Sequence, residues 1–362
     1  MERAPFPCAG NVDVWDTLAA EKRDIWLYGM GNGADKLLAV LSARGIRARG
    51  VFASDGFVRG QTFHGERVRA YREIEAAYPA GGCVILLAFG TSRPEVMALI
   101  DRAAARYPLF VPDLPVCGDT VFDCAFYKAH EKELALARSL LTDEGSRALF
   151  DAVIACKLTG EHARFAAAVS RKSALDLLAP LPVTRMVDLG AYDGDSAREA
   201  LSVWSSLRFI LATEPDGRNY KKLTAWRDTV RGVEIECHRA AAWDKRGEMP
   251  FAASGNRSAG LFGEKGDATV PTDTVDHLLY GRPADYIKYD VEGAEAAALR
   301  GSAETIKRFR PALRVALYHR GEDLFALPLL LRDLAPKHDF FLTRPAGYPV
   351  WDLDLIALPR AN

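Results

Sequence analysis

The stretch RMVDLGAYDGDSA, residues 185–197, constrains this chain more than any other. An apolar run closes on Gly190, and Gly194 then precedes SAREALSVW, whose spacing is helical. A strand that turns into a helix through glycines is the first half of a βαβ unit. Such units build parallel sheets covered by helices on both faces. The glycines let the backbone approach a ligand closely and pack the helix against the strand. The usual ligand of such a turn is a phosphate, met by backbone N–H groups and the helix N-terminus. Here the turn carries Asp188, Asp193 and Asp195. Three carboxylates repel a phosphate, strongly so if the pocket is partly dry.

The next apolar run ends in TEPD, which places Glu214 20 residues after Gly194. An acidic residue at about that distance accepts two hydrogen bonds from a ribose diol. The turn therefore suits a nucleoside cofactor that lacks phosphate and carries positive charge. S-adenosylmethionine, with an ammonium and a sulfonium, meets that description. The expected cofactor residues are Asp188, Gly190, Ala191, Asp193, Gly194, Glu214 and Pro215. In CHRAAAWD, Ala241 and Ala242 are small enough to admit a flat adenine ring, with Trp243 or Asp244 placed to touch it. A plainer reading is that Asp193 and Asp195 only cap the helix and complement its dipole.

The α/β alternation recurs along the chain. IWLYGMG, ARGVFASD and GGCVILLAFG read as strands, with ADKLLAVLSARG and SRPEVMALIDRAAARY as helices, the second carrying Pro94 in its first turn. This is a small Rossmann-like α/β domain over residues 1–125. Residues 126–182 form a helical connector, with interruptions expected at Gly145 and Gly160. It ends at the two prolines of LLAPLPVTR. From 183 to 362 the alternation restarts. Strands are expected in RMVDLG, RFILATEP, VEIECHRAA, ADYIKYDVE, ALRVALY, HDFFLTRP and DLDLIALP, and helices near 195–204, 217–229, 293–308 and 323–334. A mostly parallel sheet with an antiparallel edge is the simplest arrangement.

The second informative stretch is DYIKYDVEGAEAAALRG. In a strand Lys288, Asp290 and Glu292 share one face. Three charges closing an apolar central strand are costly unless they serve a site. A plainer reading is an exposed Lys288–Asp290 ion pair, worth about 0–1 kcal/mol. Asp290 and Glu292 also suit a divalent cation, although no third ligand is identifiable, so no metal is expected.

With these residues in place, the segment from Ala284 to Pro328 resembles the FkbM-type methyltransferases that use S-adenosylmethionine. The resemblance rests on Lys288, Asp290, Glu292, Gly293 and Glu295, then Leu299–Gly301, Arg310–Pro311 and Tyr318–His319. LLTDEGSRALFDAVIACKLTGE and LYGMGNGADKLLAVL are similar to the longer, two-domain members. The resemblance implies a Rossmann-like class I methyltransferase domain and O-methylation of a sugar, nucleotide-sugar or natural-product hydroxyl. It also implies that Asp188, Gly190, Gly194 and Glu214 hold the cofactor, with Asp290 beside the methyl group. On that footing Asp290, Glu292 or His319 is expected to orient or deprotonate the acceptor hydroxyl, with His319 the best base by intrinsic pKa, unless it only satisfies loop carbonyls. Lys288 either lowers the hydroxyl's pKa or holds Asp290.

A second glycine turn, GMGNGAD, places Gly29, Gly31 and Gly33 before Ala34, with Asp55 21 residues beyond Ala34. It is similar to a dinucleotide fingerprint. Two alternatives rest on it: an NAD(P)-dependent oxidoreductase and a non-catalytic nucleotide-sugar-binding protein. Otherwise the domain serves packing, dimerisation or substrate presentation, which leaves room for a homodimer. His64 is expected at the surface.

Formal net charge is −1, which offers no basic field for nucleic acid or an anionic membrane. The six cysteines, Cys8, Cys83, Cys117, Cys124, Cys156 and Cys237, form no CxxC pair and fit free thiols in a reducing compartment. No apolar stretch reaches the ~20 residues of a membrane span, and MERAPFPCAGNVDVWD has no apolar core of a signal peptide. A cytoplasmic enzyme acting on a small molecule is expected.

Overall fold

The structure is a computed structural model that describes residues 12–251 and 268–360, so Cys8 and the first eleven residues lie outside it. Five short parallel strands come first: β1 (Asp24–Tyr28), β2 (Gly50–Ala53), β3 (Arg69–Ala70), β4 (Cys83–Leu87) and β5 (Leu109–Phe110). Their order is β3-β2-β1-β4-β5. All five residues of β4 are buried, as a central strand covered on both faces requires. Helices α1 (Asn32–Ala43) and α2 (Pro94–Arg106) supply the covers through Leu37 and Leu41, and through Ile100 and Ala103. The three expected strands are present; β3 and β5 span two residues each, too short to show a period. His64 is exposed and pairs with Asp35 at 2.6 Å.

Two antiparallel-packed helices follow, α3 (Glu131–Leu140) and α4 (Glu144–Thr159). Asp143 caps α4 by accepting from the Ser146 N–H, and the helix stops at Gly160, whose φ is 60°. Gly145, expected as an interruption, falls inside the first turn of α4. The stretch 161–180, expected to be helical, holds only a tight turn at His162–Arg164 and a short helix at Ala174–Leu178. Its backbone groups are committed elsewhere: the Ala168 carbonyl accepts from Arg344, and the Ser170 N–H donates to the Arg344 carbonyl.

The larger sheet contains β6 (Arg185–Leu189), β7 (Phe209–Thr213) and β8 (Glu234–His238). After a small separate sheet of β9 (Ala241–Ala242), β10 (Gly247–Phe251) and β11 (Ala268–Asp273), it continues with β12 (Tyr286–Tyr289), β13 (Ala312–Ala316), β14 (His338–Thr343) and β15 (Asp354–Pro359). Its order is β8-β7-β6-β12-β13-β15-β14, parallel except for β15, which runs against both neighbours. All seven expected strands are there, with the antiparallel edge. Helices α5 (Asp195–Val203), α6 (Gly217–Arg227), α7 (Glu295–Arg300), α8 (Ala303–Phe309) and α9 (Asp323–Leu334) pack on it. The single helix expected over 293–308 is two. The chain bends at Gly301, where a Cβ would collide with the Trp243 carbonyl. The strand order reverses between β6 and β12, and in such sheets the crevice at the carboxyl ends of the reversing strands holds the ligand.

The two sheets are tied together at buried points. Lys157 on α4 donates to both carboxylate oxygens of Asp113, each at 3.0 Å, with side chains 3% and 7% exposed. Thr91 and Tyr348 exchange backbone hydrogen bonds of 2.7 and 2.9 Å. Removing one partner of a buried ion pair strands the other charge. Lys157→Met is therefore expected to lower unfolding free energy by about 3–5 kcal/mol. Adding Asp113→Leu should recover much of that loss, as read by urea denaturation.

Candidate active site

The site begins with strand register. β6 and β12 run side by side with Lys288 directly beside Asp188. The Lys288 ammonium lies 3.6 Å from Asp188 Oδ1 and 3.3 Å from Asp290 Oδ2. Asp188 is fully buried, and neither of its oxygens has a hydrogen-bond partner. Burial pushes its carboxyl upward against the pull of Lys288. Asp290 is partly exposed; burial works against its charge, yet Lys288 and His319 hold it down at about 2. Gly190 has a φ of 78°, and a Cβ there would collide with the Asp290 carbonyl oxygen. The acidic glycine turn and the end of β12 thus meet backbone to backbone.

Above this floor is a cavity of about 380 Å³. Toward β7 it is lined by Gly190, Tyr192, Asp195, Thr213, Glu214 and Asn219, with Pro215, Ala241, Ala242 and Phe251 also on its wall. Glu214 accepts from the Tyr192 and Asp216 N–H groups, each at 2.9 Å. Burial lifts its pKa to about 7 in spite of those donors. The Thr213 hydroxyl is buried without a partner. The unpartnered polar atoms of Asp188 and Thr213, the side-chain-free Gly190 cradle and the buried Glu214 fit a nucleoside that carries positive charge.

Some expected residues stand elsewhere. Asp193 points away from the wall and pairs with Arg198 at 3.1 Å. Ala191 is buried against Ala212 and Leu223. Gly194 gives room to the Trp226 ring rather than to a ligand. Trp243 and Asp244 are not on the wall, whereas Ala241 and Ala242 are. Sequence reasoning did not name Tyr192, Thr213, Asn219 or Phe251. Tyr192 has a φ of 50°, a backbone feature that leaves no mark in composition.

On the β12 side the expected strand face breaks after Tyr289. Glu292 and Gly293 have φ values of 51° and 89°, so Glu292 does not lie on a strand with Lys288. The turn still returns Glu292 to the wall beside Asp290, Val291 and Tyr318. His319 is fully buried beneath it and is not on the wall. Its Nδ1 lies 2.9 Å from Glu295, and its Nε2 lies 3.5 Å from Asp290 and 3.6 Å from Glu292. Burial alone would depress the imidazole, but the carboxylates of Glu295, Glu292 and Asp290 lift it to about 10. An imidazolium has no lone pair to accept a proton. The expectation that His319 is the base therefore gives way to a structural cation that holds three acids. Burial lifts Glu292 to about 7, against the pull of His319. Glu295, His319 and Asp323 also lie within 4.8 Å of one another, but a protonated His319 offers no lone pair to a metal ion.

The far wall comes from outside this strand set. Thr91, Ser92 and Val116 of the first domain face Tyr348, Trp351 and Asp352 of the loop between β14 and β15. Gly29, Gly31, Gly33 and Asp55 do not line the cavity. Gly29 admits the Phe89 ring, a Cβ on Gly33 would strike the Ala88 carbonyl, and Asp55 accepts from the Arg72 N–H.

Residues 188–343 match the family model described as the methyltransferase FkbM domain. The chain is similar to the solved methyltransferase FkbM from Methylobacillus flagellatus KT, with 19% identity, 95% of this chain and 92% of that chain covered, and a TM-score of 0.69. An rRNA methylase from Streptococcus thermophilus shares 13% identity over 52% of this chain and 93% of its own, with a TM-score of 0.35. No curated protein matches the chain.

His319→Gln removes the counter-charge of Glu295 and Glu292 and is expected to cost about 3–5 kcal/mol of stability. The histidine's folded pKa of about 10 lies above its ordinary 6.5. Its contribution is thus complete below pH 6.5 and disappears as pH rises toward 10. Urea denaturation should show the gap between wild type and variant closing from pH 6.5 to pH 10; a gap independent of pH contradicts the cationic assignment.

Proposed function

We propose that this chain, whose residues 188–343 form a methyltransferase FkbM domain, moves a methyl group from S-adenosylmethionine to a hydroxyl oxygen of a small acceptor such as a sugar or natural product. One observation carries this reading. A single cavity has a ribose-type carboxylate and an acidic glycine turn on one side, and two acids at the end of β12 on the other.

S-adenosylmethionine supplies, when bound, an electrophilic methyl on a sulfonium. Glu214 accepts from the ribose hydroxyls. Gly190 lets the backbone come close, and Asp188 and Asp195 favour positive charge above the turn. Asp290, ionised and held by Lys288, orients the acceptor hydroxyl. Glu292 would take the hydroxyl proton; burial lifts it to about 7, which suits that task near neutrality. Holding the acceptor hydroxyl close to the cofactor would provide much of the acceleration. Lys288 acts through Asp290 rather than on the acceptor.

No helix among the described residues is long and apolar enough to cross a membrane. Cys83, Cys117, Cys156 and Cys237 are free thiols, as in a setting where thiols stay reduced.

Two outcomes test the reading. Because Glu214 is pushed up to about 7, its carboxylate is lost on acidification. S-adenosylhomocysteine affinity by calorimetry should fall about tenfold from pH 8 to pH 6, and Glu214→Gln should abolish that dependence. NADH binding to the cavity in place of S-adenosylhomocysteine would refute the cofactor. Glu292→Gln should lower kcat by about 10²–10⁴ while leaving S-adenosylhomocysteine affinity intact. Unchanged turnover removes Glu292 as the base.

A further inference from the structure

We infer that Tyr318 is a positioning residue for the acceptor: its hydroxyl keeps the Asp290 carboxylate turned to the cavity and away from the His319 imidazolium. The inference rests on the methyl-transfer reading above and adds a residue to its acceptor site.

Asp290 lies between two cations. Its Oδ2 faces the Lys288 ammonium at 3.3 Å, and its Oδ1 lies 3.5 Å from His319 Nε2. Opposite charges this close draw together, and a charge-assisted N–H bond to a carboxylate settles at about 2.7–2.9 Å. The Asp290–His319 pair stops short of that distance. Among the described residues His319 Nε2 has no hydrogen-bond partner. A third group competes for the same oxygen: the Tyr318 hydroxyl donates to Asp290 Oδ1 at 3.3 Å. With Oδ2 toward Lys288 and Oδ1 toward Tyr318, the carboxylate is fixed in rotation. Its side chain stays 34% exposed, on the wall of the cavity.

Tyr318 is itself held in place. The Leu317 N–H donates to the Leu353 carbonyl and the Cys117 N–H to the His319 carbonyl, each at 2.8 Å, so the backbone is pinned on both sides. The Tyr318 ring lies against the His319 ring, with centroids 4.2 Å apart and planes at 39°. A cation against an aromatic ring is attracted to it. Tyr318 lines the cavity, whereas His319 beneath it is fully buried. Burial, with Asp290, Asp352 and Glu292 nearby, pushes the phenol's pKa well above its ordinary value. The hydroxyl therefore remains a donor to Asp290, and the acceptor's proton goes to Glu292. Without that hydroxyl, Asp290 Oδ1 is free to close on His319 Nε2. The acid then turns from the acceptor, while the Gly190 turn and Glu214 stay in place.

Tyr318→Phe removes the oxygen and keeps the ring. The acceptor probe is the compound that takes label from trideuteromethyl S-adenosylmethionine in a small-molecule extract of the source cells, isolated by following that label. Calorimetry gives its affinity for the intact protein loaded with S-adenosylhomocysteine. Tyr318→Phe should weaken that affinity about tenfold, with S-adenosylhomocysteine affinity unchanged. In an Asp290→Asn background the same substitution should weaken it less than about twofold, because its effect passes through Asp290. In protein labelled with 15N-histidine, the His319 Nε2–H proton resonance should move downfield in Tyr318→Phe as that N–H bonds to Asp290. An acceptor affinity within about twofold of wild type, an equal loss in the Asp290→Asn background, or an unmoved resonance each overturns the inference and leaves methyl transfer standing. No label in the extract, from protein that binds S-adenosylhomocysteine, overturns both.

Discussion

Lys288 lies between two carboxylates at the junction of two parallel strands, and the geometry of the site depends on it. A lone ammonium in a buried strand is prohibitively unfavourable, and so is a lone carboxylate. Asp188 and Lys288 are adjacent in register, and Asp290 follows at the strand end, so each charge makes the others tolerable. Such clusters add little net stability but fix an arrangement, because removing one member strands the rest. The arrangement fixed here is the contact of the Gly190 turn with the Asp290 carbonyl. That contact brings the wall of Glu214 and the Gly190 turn against the wall of Asp290 and Glu292.

A second cluster gives the acids distinct protonation behaviour. His319 is buried among Glu295, Glu292 and Asp290 and remains protonated well above neutrality. Its charge helps to keep Asp290 ionised. Glu292 is more buried and shares its cation with two other acids, so it titrates near neutrality. Two acids separated by one residue thus differ in protonation, Asp290 held down at about 2 and Glu292 lifted to about 7. Environment rather than residue type sets that division.

The sequence revealed what is periodic and local. Seven strands of the large sheet, its antiparallel edge and helix α9 at 323–334 all follow apolar spacing, and the glycine turn at 190–194 follows strand-to-helix context. That Gly190, Glu214, Ala241, Ala242, Asp290 and Glu292 share one cavity is legible because each sits at or just beyond a strand's end. The burial of His319 among three carboxylates is not, because intrinsic basicity says nothing of acids supplied by another turn. Nor is the pairing of Asp193 with Arg198, five residues on, at 3.1 Å. Thr91 and Trp351 carried no signal, since they meet only when two distant loops pair.

This difference in legibility has a physical origin in how the two halves are made. The wall of the Gly190 turn and Glu214 is built from consecutive strand ends whose positions follow from the sheet itself. The wall that carries Thr91, Val116 and Trp351 is assembled from segments far apart in the chain and joined by few contacts. The linker at Cys117 is one such contact: its N–H donates to the His319 carbonyl at 2.8 Å and its thiol to the Glu292 carbonyl at 3.1 Å. Lys36 of the first domain in turn holds the Pro115 and Val116 carbonyls. The first domain therefore reaches both the turn that carries Glu292 and the wall that carries Trp351. Because those contacts bypass β6 and β7, loop changes can reshape this wall while the Gly190 turn and Glu214 stay as they are. The first domain thus has a structural role in building the wall of the large sheet's cavity.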